Sequence, residues 1–279
     1  MVREAQLLAR LDHPNITPIH SLVYDEHGEP LIIMKRIKGQ PWTHYLGVAP
    51  EFSGTKDILI FHLSVLLKIC SAVEYAHSLG ILHLDLKTDN VMVGEYGEVY
   101  LLDWGVAVEM DEQQRHMMDT FSGTPRFAAP EMFNPRKPLD TKTDIYLLGG
   151  ILHEVLVQKP LHDGRLLQDI ILQARLSEPY PYDETIPPNL AAIAHKATSR
   201  EPEERYQDIR EFRDAIQHYL DHPEVVTLLK SARKRLDVLD RVINDGKEHA
   251  FNVYRLAFET RYAFLQVLKV DPNLAAGHE

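Results

Sequence analysis

His83-Leu84-Asp85-Leu86-Lys87-Thr88-Asp89-Asn90 is the stretch around which the chain is organised. An apolar helical run, Leu59 to Leu79, leads into it, and Gly80 breaks that helix. The triplet Val91-Met92-Val93 follows, then a turn from Gly94 to Gly97, then a second apolar run, Val99-Tyr100-Leu101-Leu102, which ends in Asp103-Trp104-Gly105. Runs this short and this rich in valine and leucine read as strands. Two strands therefore each present an acid at one shared edge. An acid that accepts a proton, an amide and a second carboxylate that hold Mg²⁺, and a lysine that meets phosphate are the parts that phosphoryl transfer needs.

Working outward, composition bounds the function classes. The 279 residues are 44% hydrophobic and 25% charged, which is enough for one sizeable core, or one domain with an appendage. The net charge of −11, from 41 acids against 30 bases, gives no bulk attraction for nucleic acid. The single cysteine, Cys70, excludes an internal disulfide framework and fits a reducing compartment; in an apolar helix it reads as a buried structural thiol. No window is expected to reach the apolar length of a membrane span, and Met1-Val2-Arg3-Glu4 does not read as a secretory leader. The expected location is the cytoplasm. The fifteen histidines are scattered along the chain, so a metal centre built on them is not expected.

His83-x-Asp85-x-Lys87-x-x-Asn90 followed by Asp103-x-Gly105 resembles the catalytic loop and metal-binding loop of eukaryotic-type protein kinases. Asp-Trp-Gly, with Met34-Lys35-Arg36-Ile37-Lys38-Gly39 upstream, looks most like the bacterial serine/threonine branch. The resemblance implies an α+β kinase-like fold over residues 1–222, with an incomplete small β lobe and a mainly helical large lobe. Residues 223–279 would be a helical extension. It implies ATP and Mg²⁺ as nucleotide and metal, and Ser/Thr-bearing protein substrates. Asp85, Lys87 and Thr124 take the catalytic positions; Asn90 and Asp103 take the metal positions. Glu4 corresponds to the glutamate of the family's C helix and Met34 to the gatekeeper. Lys35 to Ile37 supply the backbone facing adenine, with Met92 beneath it. Any one of these alone is more often an ordinary loop or core residue; the joint pattern carries the reading.

Three departures qualify it. In the family a glycine-rich loop and a strand lysine precede the C helix; here the pattern starts at that helix, as if truncated before it. The strands left behind are then expected to show an open edge and an exposed apolar face. Leu84 stands where most members carry an arginine that pairs with a phosphorylated activation segment, a bond leucine cannot make. Trp104 replaces the usual phenylalanine and can fill the same apolar slot. The alternative function is therefore a pseudokinase or scaffold of the same fold; a small-molecule kinase is a third reading.

The remaining chain fits the frame. Residues 1–11 read as a helix, and Ile16 to Tyr24 and Pro30 to Ile37 as two strands around a turn at Asp25 to Gly28. His83 is expected to be structural and to pack on Trp104. Val106 to Phe121 reads as irregular, with Thr120 and Ser122 either phosphosites or plain solvated hydroxyls. Glu131 is expected to pair with Arg205, and Asp144 to hold the backbone of the catalytic loop. Helices are expected over Leu166–Leu176, Leu190–Ser199 and Asp208–Leu220. Beyond Pro223 two amphipathic helices faintly resemble a tetratricopeptide pair, read either as a plain extension or as a protein-binding surface.

Overall fold

Asp57 starts the helix on which the first unit is built. Its carboxylate accepts the N–H groups of Leu59 (3.0 Å) and Ile60 (3.2 Å), satisfying two of the orphan donors of α2 (Ile58–Ser78). The computed structural model describes residues 2–48, 57–110, 116–117, 120–245 and 250–270 and divides into two compact units, Met1–Gln217 and His218–Glu279. Helix α2 buries Phe61, Leu63, Leu66, Ile69, Cys70, Val73 and Ala76 in the first unit. By length and composition alone it could cross a membrane, which corrects the expectation that no window would. Half of it is buried within the unit, as befits a core helix that is apolar nearly all round.

Ahead of α2, a short α1 (Val2–Leu8) buries Ala5, Leu7 and Leu8. Strands β1 (Ile19–Tyr24) and β2 (Pro30–Met34) pair antiparallel, with Leu22 opposite Ile32 and Val23 opposite Leu31. The Asp25 carboxylate closes the turn between them on the N–H groups of His27 and Glu29, both at 2.8 Å. One apolar face of this pair is exposed: Leu31 and Ile33 are 45% and 46% exposed.

The second sheet has the order β3 (Gly39–Pro41), β5 (Val91–Gly94), β6 (Val99–Leu101), all antiparallel neighbours. Val91, Val93, Val99 and Leu101 are buried, and so is Tyr100, which is why these strands read as continuous apolar runs rather than alternating ones. Strand β4 (Ile81–Leu82), directly before the catalytic loop, pairs with β7 (Val108–Glu109), just after Asp103-Trp104-Gly105. This pairing was not legible in the sequence. It clamps the two loops between one pair of strands.

The helical half begins with α3 (Thr141–Val157), started by a capping box of Asp140 with Thr143. Helices α4 (Leu167–Leu176), α5 (Pro188–Ala197) and α6 (Ile209–Asp221) follow. In the second unit α7 (Pro223–Asp245) and α8 (Ala250–Val270) pack on each other, with Ala232, Leu239 and Thr260 buried. Tyr254, Phe258 and Tyr262 form an exposed stripe at helical spacing on α8. The chain ending at Asp271-Pro272-Asn273, the turn after Asp245, and most of 111–119 lie outside the described residues.

Candidate active site

The catalytic loop is held from behind by one buried acid. Asp144, in the first turn of α3, accepts the backbone N–H of His83 (2.9 Å) and of Leu84 (2.9 Å), and bonds His77 Nε2 (2.8 Å). Burial alone would raise this carboxyl; the hydrogen bond and charge of His77, with the help of His83, outweigh it and hold it below its ordinary value. These bonds keep Leu84 at φ +65°, a left-handed backbone costing roughly 1–2 kcal/mol for a residue with a Cβ. The Leu84 side chain is fully buried. That bend turns the chain so that Asp85 leaves the core and faces the site.

His83 is structural, as its sequence context suggested. Its ring packs on Trp104 at 4.5 Å between centroids. Its Nδ1 accepts the Asp85 N–H (3.3 Å), so Nε2 carries the proton and donates to Leu102 O (3.2 Å). Burial pushes its pKa below the ordinary histidine value, and the ring stays neutral.

Four of the expected site residues meet in one hydrogen-bonded cluster. Asp85 Oδ1 accepts the Thr124 hydroxyl at 2.6 Å, and Oδ2 accepts Lys87 Nζ at 2.7 Å and Asn90 Nδ2 at 3.1 Å. Lys87 Nζ also donates to Thr124 Oγ1 at 2.6 Å. Asn90 Nδ2 donates a second bond to the Asp85 carbonyl (2.9 Å). Thr124 can come this close because the residue before it is glycine. At Gly123, φ is +118°, and a Cβ there would sit 2.8 Å from Leu84 O. Asp85 is 7% exposed, so its charge is held by these partners more than by water.

Asp103 follows β6 and is exposed, at φ +55°, with Oδ1 accepting the Gly105 N–H (3.2 Å). The Leu102 N–H donates to Asn90 O (2.8 Å), so the backbone carrying Asp103 is tied to the residue carrying the amide. With Nδ2 of Asn90 engaged on Asp85, its Oδ1 is the atom left to point at a cation. An amide oxygen and an exposed carboxylate are hard oxygen donors and fit Mg²⁺.

The nucleotide-side positions are more spread out. Met34 ends β2 and is 43% exposed. The Lys35 N–H donates to Pro18 O (3.0 Å) and its ammonium bonds the Tyr100 hydroxyl (2.5 Å) over the ring of that residue. Tyr100 is the cross-strand partner of Met92, so the chain after β2 is pinned to the strands that carry Met92 and lead to Asp103. Ile37 is half-buried. Glu4 stands half-buried in α1, and among the described residues no hydrogen bond or ion pair joins it to the cluster.

Two supports lie behind the cluster. Glu131 and Arg205 form a buried bidentate pair at 2.7 and 2.8 Å, as the sequence suggested. Arg205 also donates to the carbonyls of Ser199, Lys142 and Arg200 and lies over the Tyr146 ring. The second support was missed. Thr88 Oγ1 donates to Glu154 on α3 at 2.6 Å, and burial raises the pKa of that acid. The signal available was an acid inside the otherwise apolar run Ile145 to Val157.

Known proteins with this pattern give the same answer as the geometry. The model of the family described as "Protein kinase domain" matches residues 1–223. Similar curated proteins are the serine/threonine-protein kinases PknD of Chlamydia felis (33% identity over 246 residues) and of Chlamydia muridarum (36% over 254 residues). In each case 78% of this chain is covered but only 26% of the relative, so the chain spans about a quarter of the length of the relatives it matches. With its catalytic loop, its Asp103-Trp104-Gly105 turn and its Glu131–Arg205 pair all in place, the chain belongs to the protein kinase domain family.

Proposed function

We propose that the protein transfers the γ-phosphoryl group of ATP to serine and threonine hydroxyls of protein substrates, with residues 1–222 as the kinase domain and 223–279 as a helical extension. The observation that carries this is the Asp85–Lys87–Thr124 cluster, all within 2.7 Å contacts. Asp85 accepts and orients the substrate hydroxyl and takes its proton. To do so it must exchange one of its neighbours for the substrate. Lys87 neutralises charge on the phosphoryl group in flight, and a lysine two residues after the acid fits a hydroxyl on serine or threonine. Asn90 Oδ1 and Asp103 would hold Mg²⁺, which when bound neutralises the phosphate oxygens. The adenine would lie between Met92 and the chain from Met34 to Ile37. Because the Lys35 N–H is committed to Pro18, the Lys35 carbonyl and the backbone of Arg36 and Ile37 are left to meet it.

A free, buried Cys70 and a need for ATP fit the cytoplasm. The Tyr254, Phe258 and Tyr262 stripe fits a protein partner for the extension. The test is transfer of label from γ-labelled Mg-ATP to a generic protein acceptor, followed by phosphoamino-acid analysis. Phosphoserine and phosphothreonine that vanish in Asp103→Ala are expected. Nucleotide binding without any transfer in the full-length protein would leave the scaffold reading in its place.

A further inference from the structure

Net charge and local charge disagree at one place on the kinase unit. The chain carries −11 overall, yet a groove of about 410 Å³ is walled by Arg136, Lys137, Arg175 and Arg200, with Glu201 as the one acid and Phe133 at one end. Glu201 pairs with Lys137 (2.9 Å) and lies 3.9 Å from Arg200. Among the described residues, no ion pair engages the guanidinium groups of Arg136 or Arg175. The groove therefore holds a surplus of positive charge that its own residues leave unanswered.

The backbone that carries these bases is tied down. Asn134 Oδ1 accepts the Arg136 N–H (3.0 Å) and its carbonyl accepts the Lys137 N–H (2.9 Å), shaping the turn that presents both bases. Arg175 lies in the last turn of α4, whose end is set by Ser177 N–H bonding Gln173 O (2.7 Å). The buried Arg205 guanidinium bonds Glu131 on one wall and the Arg200 carbonyl (3.1 Å) on the other, locking the two together. Guanidinium forks can meet the oxygens of a phosphate with two parallel N–H bonds.

The location adds the ligand class. From Thr124 the chain runs through short hydrogen-bonded turns (Phe127 N–H to Thr124 O, Met132 N–H to Ala129 O, Asn134 N–H to Glu131 O) straight to this groove. Thr124 to Phe133 is nine steps of folded chain, so the groove lies within the ~33–36 Å reach of an extended decapeptide whose hydroxyl sits at Asp85. We propose that the groove docks a phosphoserine or phosphothreonine already present on the polypeptide substrate, so that one phosphorylation favours the next. The choice of a phosphate ester rests on the kinase reading, since that is the product class the site would make; the binding itself needs no ATP.

The test uses the full-length protein and a fluorescein-labelled decapeptide with one free serine and one phosphoserine. Its unphosphorylated form and its Glu-substituted form serve as comparisons, read by fluorescence polarisation without nucleotide. The phosphopeptide is expected to bind at least tenfold more tightly than either comparison. Arg136→Glu with Arg175→Glu should remove that advantage, and the milder Arg136→Gln with Arg175→Gln should reduce it. Equal binding of all three peptides, or an advantage that survives the arginine changes, would overturn the proposal. Transfer is measured separately: the double variant should phosphorylate the unphosphorylated peptide at the normal rate and lose only the gain on the phosphopeptide. A wild-type protein that binds the phosphopeptide selectively but transfers nothing would overturn the kinase reading and leave the groove standing.

Discussion

Asp85 is the residue on which the hydrogen bonds of the site converge, and the proposed function gives it and its neighbours separable predictions. Asp85→Asn keeps the size and shape of the side chain but cannot take a proton, so phosphotransfer should fall by about 10²–10⁴-fold in a steady-state assay. Thr124 reaches Asp85 and Lys87 through its hydroxyl alone, both at 2.6 Å. Thr124→Ser should therefore keep most activity, whereas Thr124→Val, with the same shape and no hydroxyl, should lose it in the same steady-state assay. Leu84 makes a different point. It is fully buried, with its N–H held by Asp144, so it offers nothing to a phosphorylated loop. A switch of the usual kind, through a charge at this position, has no partner here.

At the scale of elements, the motif-bearing loops were legible because each residue type is demanded by chemistry at a fixed spacing. The strands flanking them were legible as apolar runs. What escaped were contacts made across the chain. His77 and Asp144 are 67 residues apart, and Thr88 and Glu154 are 66 apart; no local pattern announces either pair. Strands of two residues, such as β4 and β7, are too short to show a period. The ends of α2 and α3 start after their caps, Asp57 and Asp140, because a cap residue takes an extended backbone while its side chain bonds the first turn. Two predictions belong here. Asp144→Ala leaves two backbone donors of the catalytic loop unpaired, so it should lower both activity and stability, and hydrogen exchange at His83 and Leu84 should speed up. Glu131→Gln or Arg205→Met leaves one buried charge alone and should cost about 3–5 kcal/mol in denaturant unfolding. Changing both partners to apolar residues together should cost less than the two single changes summed.

Over the whole molecule, buried histidines set an acid limit. Burial lowers His62, His153 and His162 to about 4. The bond from His62 to Tyr45, and that from His162 to Ala128, only partly offset this. In the unfolded chain each titrates near 6.5, so between pH 6.5 and 4 the unfolded state binds more protons than the folded one. Their contribution is complete above about pH 6.5 and is lost as the pH falls through that window, at up to roughly 1.4 kcal/mol per pH unit per histidine. Melting temperatures measured from pH 7 to pH 4.5 should fall steeply, and His153→Gln, which removes one of these titrations, should flatten the slope. The open apolar face of β1 and β2 belongs to this scale too. Leu31 and Ile33 point outward beside an edge strand, so Leu31→Lys should improve solubility without changing phosphotransfer, as read by light scattering and the same assay.

The account rests on Asp85 working as the acceptor of a substrate proton. The most direct measurement compares the wild-type protein with Asp85→Asn for transfer of γ-labelled phosphate from Mg-ATP to a serine- and threonine-bearing protein, with nucleotide binding followed in parallel. Transfer by the wild type, lost in the variant while nucleotide binding persists, is the predicted result. Transfer that continues undiminished without the Asp85 carboxylate would contradict it.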